Sequence, residues 1–107
     1  DEVYTEAALG FAERLLRERP GAAEDERIRY AFVLALARAP SDDEVRTLRG
    51  VLEQRRARLA ADPGATDALL GGIPSFTPEP GIARQDLAAW YGVTRVVLNL
   101  DETISRS

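Results

Sequence analysis

The chain contains no cysteine, no histidine, no methionine and no lysine. Without thiols, disulfides, thiolate nucleophiles, Cys-based zinc sites and haem attachment through C-x-x-C-H cannot form within it. Without imidazole or thioether, the usual ligands of zinc, copper and haem iron are also missing, which leaves carboxylate and carbonyl oxygens suited to hard cations. A Ser-His-Asp triad has no base here, so Ser41, Ser75, Ser105 and Ser107 are not the nucleophiles of one. Lack of cysteine fits either redox compartment and places the chain neither inside nor outside the cell. No apolar run approaches the roughly 20 residues that a bilayer-spanning helix needs. The opening Asp1-Glu2-Val3-Tyr4 has neither the basic start nor the apolar stretch of a signal peptide. With Asp1 rather than methionine first, we expect a piece of a longer protein whose targeting signal lies elsewhere.

What is present suits one helical domain. The 107 residues are 45% hydrophobic, enough for a single core. All fourteen basic residues are arginine, and eighteen acids bring the net charge to −4, which disfavours a polyanion such as nucleic acid as partner.

Ala8, Phe11, Ala12, Leu15 and Leu16 recur at the three-four spacing of one helical face, predicting a first helix from about Val3 to Arg19 that Pro20-Gly21 ends. A second helix is expected from about Glu24 to Arg38, with Ile28, Ala31, Phe32, Ala35 and Leu36 on one side. Val33, Leu34 and Ala37 cover much of the rest, which marks it as the central helix. Pro40 lacks an N–H and pushes Ala39 out of helical geometry, so this helix must stop there.

Ser41 then opens a third helix as the first residue of a Ser-x-x-Glu capping box with Glu44, and Asp42 and Asp43 add charge at the positive end of the helix dipole. Val45, Leu48, Leu52 and Leu59 form its narrow apolar stripe, and the charged remainder makes it an outer helix. From Asp62 to Gly81, four prolines and four glycines block a long helix or a central strand. Ala65 to Leu70 has room for one or two helical turns, with Ile73 and Phe76 expected to pin the loop onto the core. A fourth helix is predicted from near Ala83 to about Asn99, because Leu87, Trp90, Tyr91, Thr94, Val97 and Leu98 keep one register. A strand over Val93 to Leu98 competes, but nothing else offers it a partner. The expected architecture is all-α: a mostly antiparallel bundle of four helices, with the second near the centre and one long Pro/Gly-rich crossover loop.

Two blocks in this order, Arg27-Ile28 through Ala31-Phe32 and Leu34-Ala35-Leu36-Ala37-Arg38-Ala39-Pro40-Ser41 to Glu44, then Ala89-Trp90, Val93 and Arg95-Val96-Val97-Leu98-Asn99-Leu100-Asp101-Glu102, resemble the C-terminal region of the DUF1553 family, also called the planctomycete PSD1 domain. Ala37 stands where that family usually has glycine, Ala39 where proline is common, and Thr103 where an aromatic often follows the glutamate. The resemblance implies the helical end piece of a large bacterial protein of uncharacterised function. Such a protein would be exported to the periplasm or cell surface, with a cytochrome-c-like haem domain in many members. The haem motif has no matching position here.

Three groups of residues could carry chemistry. Asp86, Asp101 and Glu102 could act in acid–base work or hold Ca²⁺, but neighbouring helical residues face apart and no Asp-x-Asp-x-Asp loop exists. The plainer reading is a solvated helix end. Arg55-Arg56-Ala57-Arg58, with Arg49 before it, could contact phosphates. Glu53, the net negative charge and the absence of interleaved aromatics favour a charged outer face instead. Trp90 and Tyr91 could line a pocket with Phe76 as its lid, although aromatics at core register usually anchor packing.

No residue is therefore assigned a catalytic, cofactor-binding or metal-binding role, and no cofactor is expected. The expected function is a non-catalytic helical module that packs on the rest of its parent polypeptide or on another protein, without nucleic-acid binding or membrane insertion. The alternative is an accessory domain completing a site in a parent enzyme or cytochrome-c-like electron-transfer protein. A tetratricopeptide-like repeat is a further alternative, although the boundaries at Pro20, Pro40 and Pro63 do not keep that repeat's 34-residue period. An exposed apolar patch above roughly 400 Å² would indicate docking, whereas a deep polar cleft around Trp90 and Asp86 would favour the accessory role.

Overall fold

The computed structural model describes residues 1–106, with side-chain surroundings through Asp101. It contains five helices: α1 (Glu2–Glu18), α2 (Glu24–Leu36), α3 (Asp42–Ala61), α4 (Gly64–Gly71) and α5 (Arg84–Arg106). Among the described residues there is no strand, and Val93 to Leu98 is helical.

The ends of these helices follow from local chemistry. Asp1 caps α1 by accepting from the Tyr4 N–H at 3.0 Å. The helix gives way to Gly21, whose φ of 68° lies in the left-handed region that glycine reaches without a Cβ penalty. In α2 no side chain caps the start, but Glu24, Asp25 and Glu26 fill its first turn, where the dipole favours negative charge. The α3 capping box is complete. Ser41 Oγ accepts from the Glu44 N–H at 3.1 Å, and Glu44 Oε1 accepts from the Ser41 N–H at 2.8 Å.

Three boundaries differ from the sequence reading. Helix α2 stops at Leu36, not near Arg38, because Ala37 takes the left-handed conformation at φ 55° and donates its N–H to Val33 O at 3.1 Å. The chain has turned before Pro40 can act. The described residues form five helices rather than four, since Gly64–Gly71 closes two turns inside the stretch read as a crossover. The final helix also runs on to Arg106 instead of ending near Asn99.

The central helix is α5, not α2. It packs against all four other helices, α1 most extensively. Every residue from Leu87 to Tyr91 and on through Gly92, Val93 and Thr94 is buried, so this stretch is covered on all sides. Ala88, Ala89 and Gly92 present almost no side chain, which lets neighbouring helices approach its backbone. By contrast Val33 on α2 is 53% exposed. Apolar residues all round α2 therefore overstated its burial. The α3 stripe of Val45, Leu48, Leu52 and Leu59 is buried as its spacing requires, with the charged faces outside.

Polar contacts tie the two ends of the chain together. The buried Thr94 hydroxyl donates to Ala8 O on α1 at 2.7 Å, and the Tyr4 hydroxyl donates to Arg95 O at 2.7 Å. The segment after α4 is strapped to α1 as well. Ile73 is buried and Phe76 packs on the core. The Glu79 N–H donates to Glu13 Oε2 at 2.8 Å, the Glu79 carboxylate pairs with Arg17 at 2.8 Å, and Ser75 Oγ bonds to Glu6.

Candidate functional site

Where α1 turns into α2, the chain meets the start of α5 and leaves a cleft of about 380 Å³. Pro20, Gly21 and Ala22 form one wall. Gly81, Ile82, Ala83 and Asp86 form the other, with Arg27, Arg56 and Trp90 between them. Trp90 and Asp86, singled out as the markers of a polar cleft, share it.

Arg27 was not anticipated as part of the site. It is only 6% exposed, and its guanidinium carbon lies 5.0 Å from the centre of the Trp90 ring, where a cation meets the negative face of the π-system. Its Nη2 donates to Arg19 O. Burial pulls the guanidinium below its ordinary pKa, and the nearby Asp86, then Glu26, pull it back. A signal for this burial existed in the sequence: Arg27 precedes Ala31 by one helical turn on the face that carries Ile28 and Phe32. The register was legible, but a charge is ordinarily counted to the wet side.

In two of the residues that line this cleft a buried donor, Arg27 Nε and Trp90 Nε1, has no hydrogen-bond partner among the described residues. Buried donors of this kind cost of the order of 1–3 kcal/mol each when left unpaired. Beside them, α5 begins after Ala83, whose side chain carries no acceptor for the N–H groups of the first turn. Asp86 supplies the one acidic side chain of the lining. Arg56 faces the cleft from α3, and its guanidinium is held by Glu24. The arrangement can therefore hold a group that offers hydrogen-bond acceptors. It has no nucleophile paired with a base.

The other anticipated groups are dispersed. Asp101 lies four turns beyond Asp86 on α5, so the two form no common site, and the Glu102 side chain lies outside the described residues. Among the described residues no three or more carboxylates converge as a metal set, and no helix is long and apolar enough to cross a membrane. Ser41 is a helix cap and Ser75 bonds to Glu6; Ser105 and Ser107 lie outside the described side chains.

Phe76 packs on the core but is not among the residues that line that cleft, so it is no lid there. The basic run divides. Arg49 forms a two-pronged pair with Asp25 at 2.9 and 2.7 Å, Arg56 pairs with Glu24, and Arg55 reaches inward to donate to Ala88 O at 3.0 Å. Of the large apolar side chains among the described residues, only Val3 on α1 and Val33 on α2 are exposed.

No family model, curated protein or solved structure matches the chain.

Proposed function

We propose that this chain is a non-catalytic helical module that joins its parent polypeptide, or a partner protein, through the cleft between the α1–α2 turn and the start of α5. The observation that carries this reading is the cleft itself, which brings Arg27, Arg56 and Trp90 beside the first turn of α5. A carbonyl or carboxylate from another segment would meet the partly exposed Arg56 guanidinium there. The few exposed apolar side chains argue against a broad greasy docking face. In this reading α1, α2, α3 and α5 form a mostly antiparallel bundle with α4 as a short insertion. The module is the end piece of an exported bacterial protein similar to the DUF1553 family. The left-handed Ala37 supports that kinship, since it occupies the position where the family usually places glycine.

The test is to titrate the upstream part of the parent polypeptide into this chain and follow the fluorescence of its single tryptophan, Trp90. Saturable one-to-one binding is expected. Ala83→Glu, which sets a negative charge on the cleft wall against an acceptor, should weaken it by about ten-fold, equivalent to about 1.4 kcal/mol. Binding that is unaffected by this change would refute the cleft as the contact.

A second reading has the same cleft in its favour. Its polar lining around Trp90 and Asp86 suits an accessory domain that completes a site in a parent enzyme or electron-transfer protein. Under that reading, Asp86→Asn in the full parent lowers turnover while the module stays bound.

A further inference from the structure

On the opposite side of α5 from the Asp86 cleft, arginines from two helices converge without counter-ions. Arg55 and Arg58 stand one turn apart on α3, and Arg95 comes from α5. Together they rim a second cleft of about 290 Å³ whose apolar lining includes Leu59, Leu69 and the Tyr91 ring. Among the described residues, seven other arginines have a carboxylate within 4.0 Å: Arg14, Arg17, Arg38, Arg46, Arg49, Arg56 and Arg84. Arg55, Arg58 and Arg95 have none, nor have Arg19, Arg27 and Arg29, but only these three of the six line one cleft together. In a chain carrying eighteen acids and a net charge of −4, this corner is left positive.

The trio is held together against its own repulsion. Arg55 is drawn below its ordinary pKa first by burial and then by the fields of Arg95 and Arg58, with Tyr91 acting the other way. Like charges one helical turn apart also disfavour the helix that carries them. Arg55 is nevertheless positioned with care. Its Nη2 donates to Ala88 O at 3.0 Å, its guanidinium carbon lies 5.4 Å from the Tyr91 ring centre, and its buried Nε has no partner among the described residues. It reaches this place because position 92 is glycine: a Cβ there would stand 2.7 Å from Arg55 Cγ and 2.8 Å from Nε. Arg58 and Arg95 remain exposed and free to close on a ligand.

We propose that this cleft binds a small organic phosphate, with the oxyanion on Arg55, Arg58 and Arg95 and the apolar part against Leu59, Leu69 and Tyr91. Guanidinium groups match phosphate oxygens in geometry and charge, and three of them suit a dianion better than a single carboxylate. The site is separate from the cleft at the start of α5, so either can fail alone.

The test titrates the chain with inorganic phosphate and with phenyl phosphate at constant ionic strength, followed by calorimetry and by the arginine Nε–H resonances. Saturable binding is expected for both probes, tighter for phenyl phosphate, with the Arg55 resonance moving. Arg58→Gln and Arg95→Gln change exposed, unpaired side chains and should keep the fold, while each weakens binding by about ten-fold or more. Arg46→Gln, outside the cleft, should bind as the unaltered chain does. A weak, unsaturable response shared by the unaltered chain and Arg95→Gln would overturn the site. Equal affinity for the two probes would overturn the apolar half of the proposal.

Discussion

Gly92 and Arg55 share one space from two helices. The Arg55 side chain crosses α5 where residue 92 has no Cβ, and ends on the Ala88 carbonyl one turn away. Glycine inside a helix gives up about 1 kcal/mol relative to alanine. Here that loss accompanies a charged hydrogen bond worth about 1.5–3 kcal/mol.

Replacing Gly92 with alanine should therefore destabilise the chain by about 1 kcal/mol, since the lost Arg55 contact outweighs the gain in helix propensity. In an Arg55→Ala background the same change should become stabilising by about 0.5–1 kcal/mol. Urea denaturation of the two single variants and the double variant reads the reversal of sign. If Gly92→Ala costs the same in both backgrounds, the two residues are not coupled.

Ala37 holds a left-handed conformation at φ 55° at the end of α2. That region costs a residue bearing a Cβ roughly 1–2 kcal/mol, part of which glycine returns through its freer unfolded state. Ala37→Gly should stabilise the protein by about 0.5–1 kcal/mol. A thermal melt that shifts downward would contradict the assigned geometry.

Glu44 is held at a pKa of about 2, against an ordinary 4.5, by the Arg38 guanidinium and then by the Ser41 backbone N–H. Because the folded value is the lower one, its stabilisation is complete above about pH 4.5 and is lost as pH falls toward 2. Glu44→Gln keeps a side chain able to cap but removes the charge. The stability difference between the two proteins should be flat at neutral pH and shrink across that acid window. Denaturant midpoints measured at a series of pH values will show whether it does.

Thr94 Oγ1 joins α5 to the Ala8 carbonyl of α1 across the core. Thr94→Val preserves the shape and removes the donor, so it should cost about 1 kcal/mol. Amide exchange should quicken together in α1 and α5. Faster exchange confined to one helix would mean that the bond does not couple them.

Much of the fold was legible one helix at a time. The Ser41–Glu44 capping box formed as written, because both partners lie within four residues of each other. The α3 stripe, the turns of α4, and Ile73 and Phe76 as anchors were also readable from spacing and from glycine and proline positions. The choice of central helix was not. Ala88, Ala89 and Gly92 carry little hydrophobicity, so their burial registers only when other helices lie against them.

The candidate sites divide in the same way. Trp90 and Asp86 sit one turn apart on one helix, so a shared cleft could be named beforehand. Arg27 belongs to it because the α1–α2 turn folds over the start of α5, a contact between residues distant in the chain. Arg55 and Arg58 were visible as a basic run, whereas the arrival of Arg95 on the same side depended on how α3 and α5 pack.

Sequence alone determined that these residues make amphipathic helices and where most of them begin, because periodicity, caps and turn residues act within a few positions. Tertiary structure decided which helix is wrapped by the others and which charges meet without a counter-ion. Those outcomes depend on the packing of surfaces that are distant along the chain, and no local pattern encodes the approach of one helix to another.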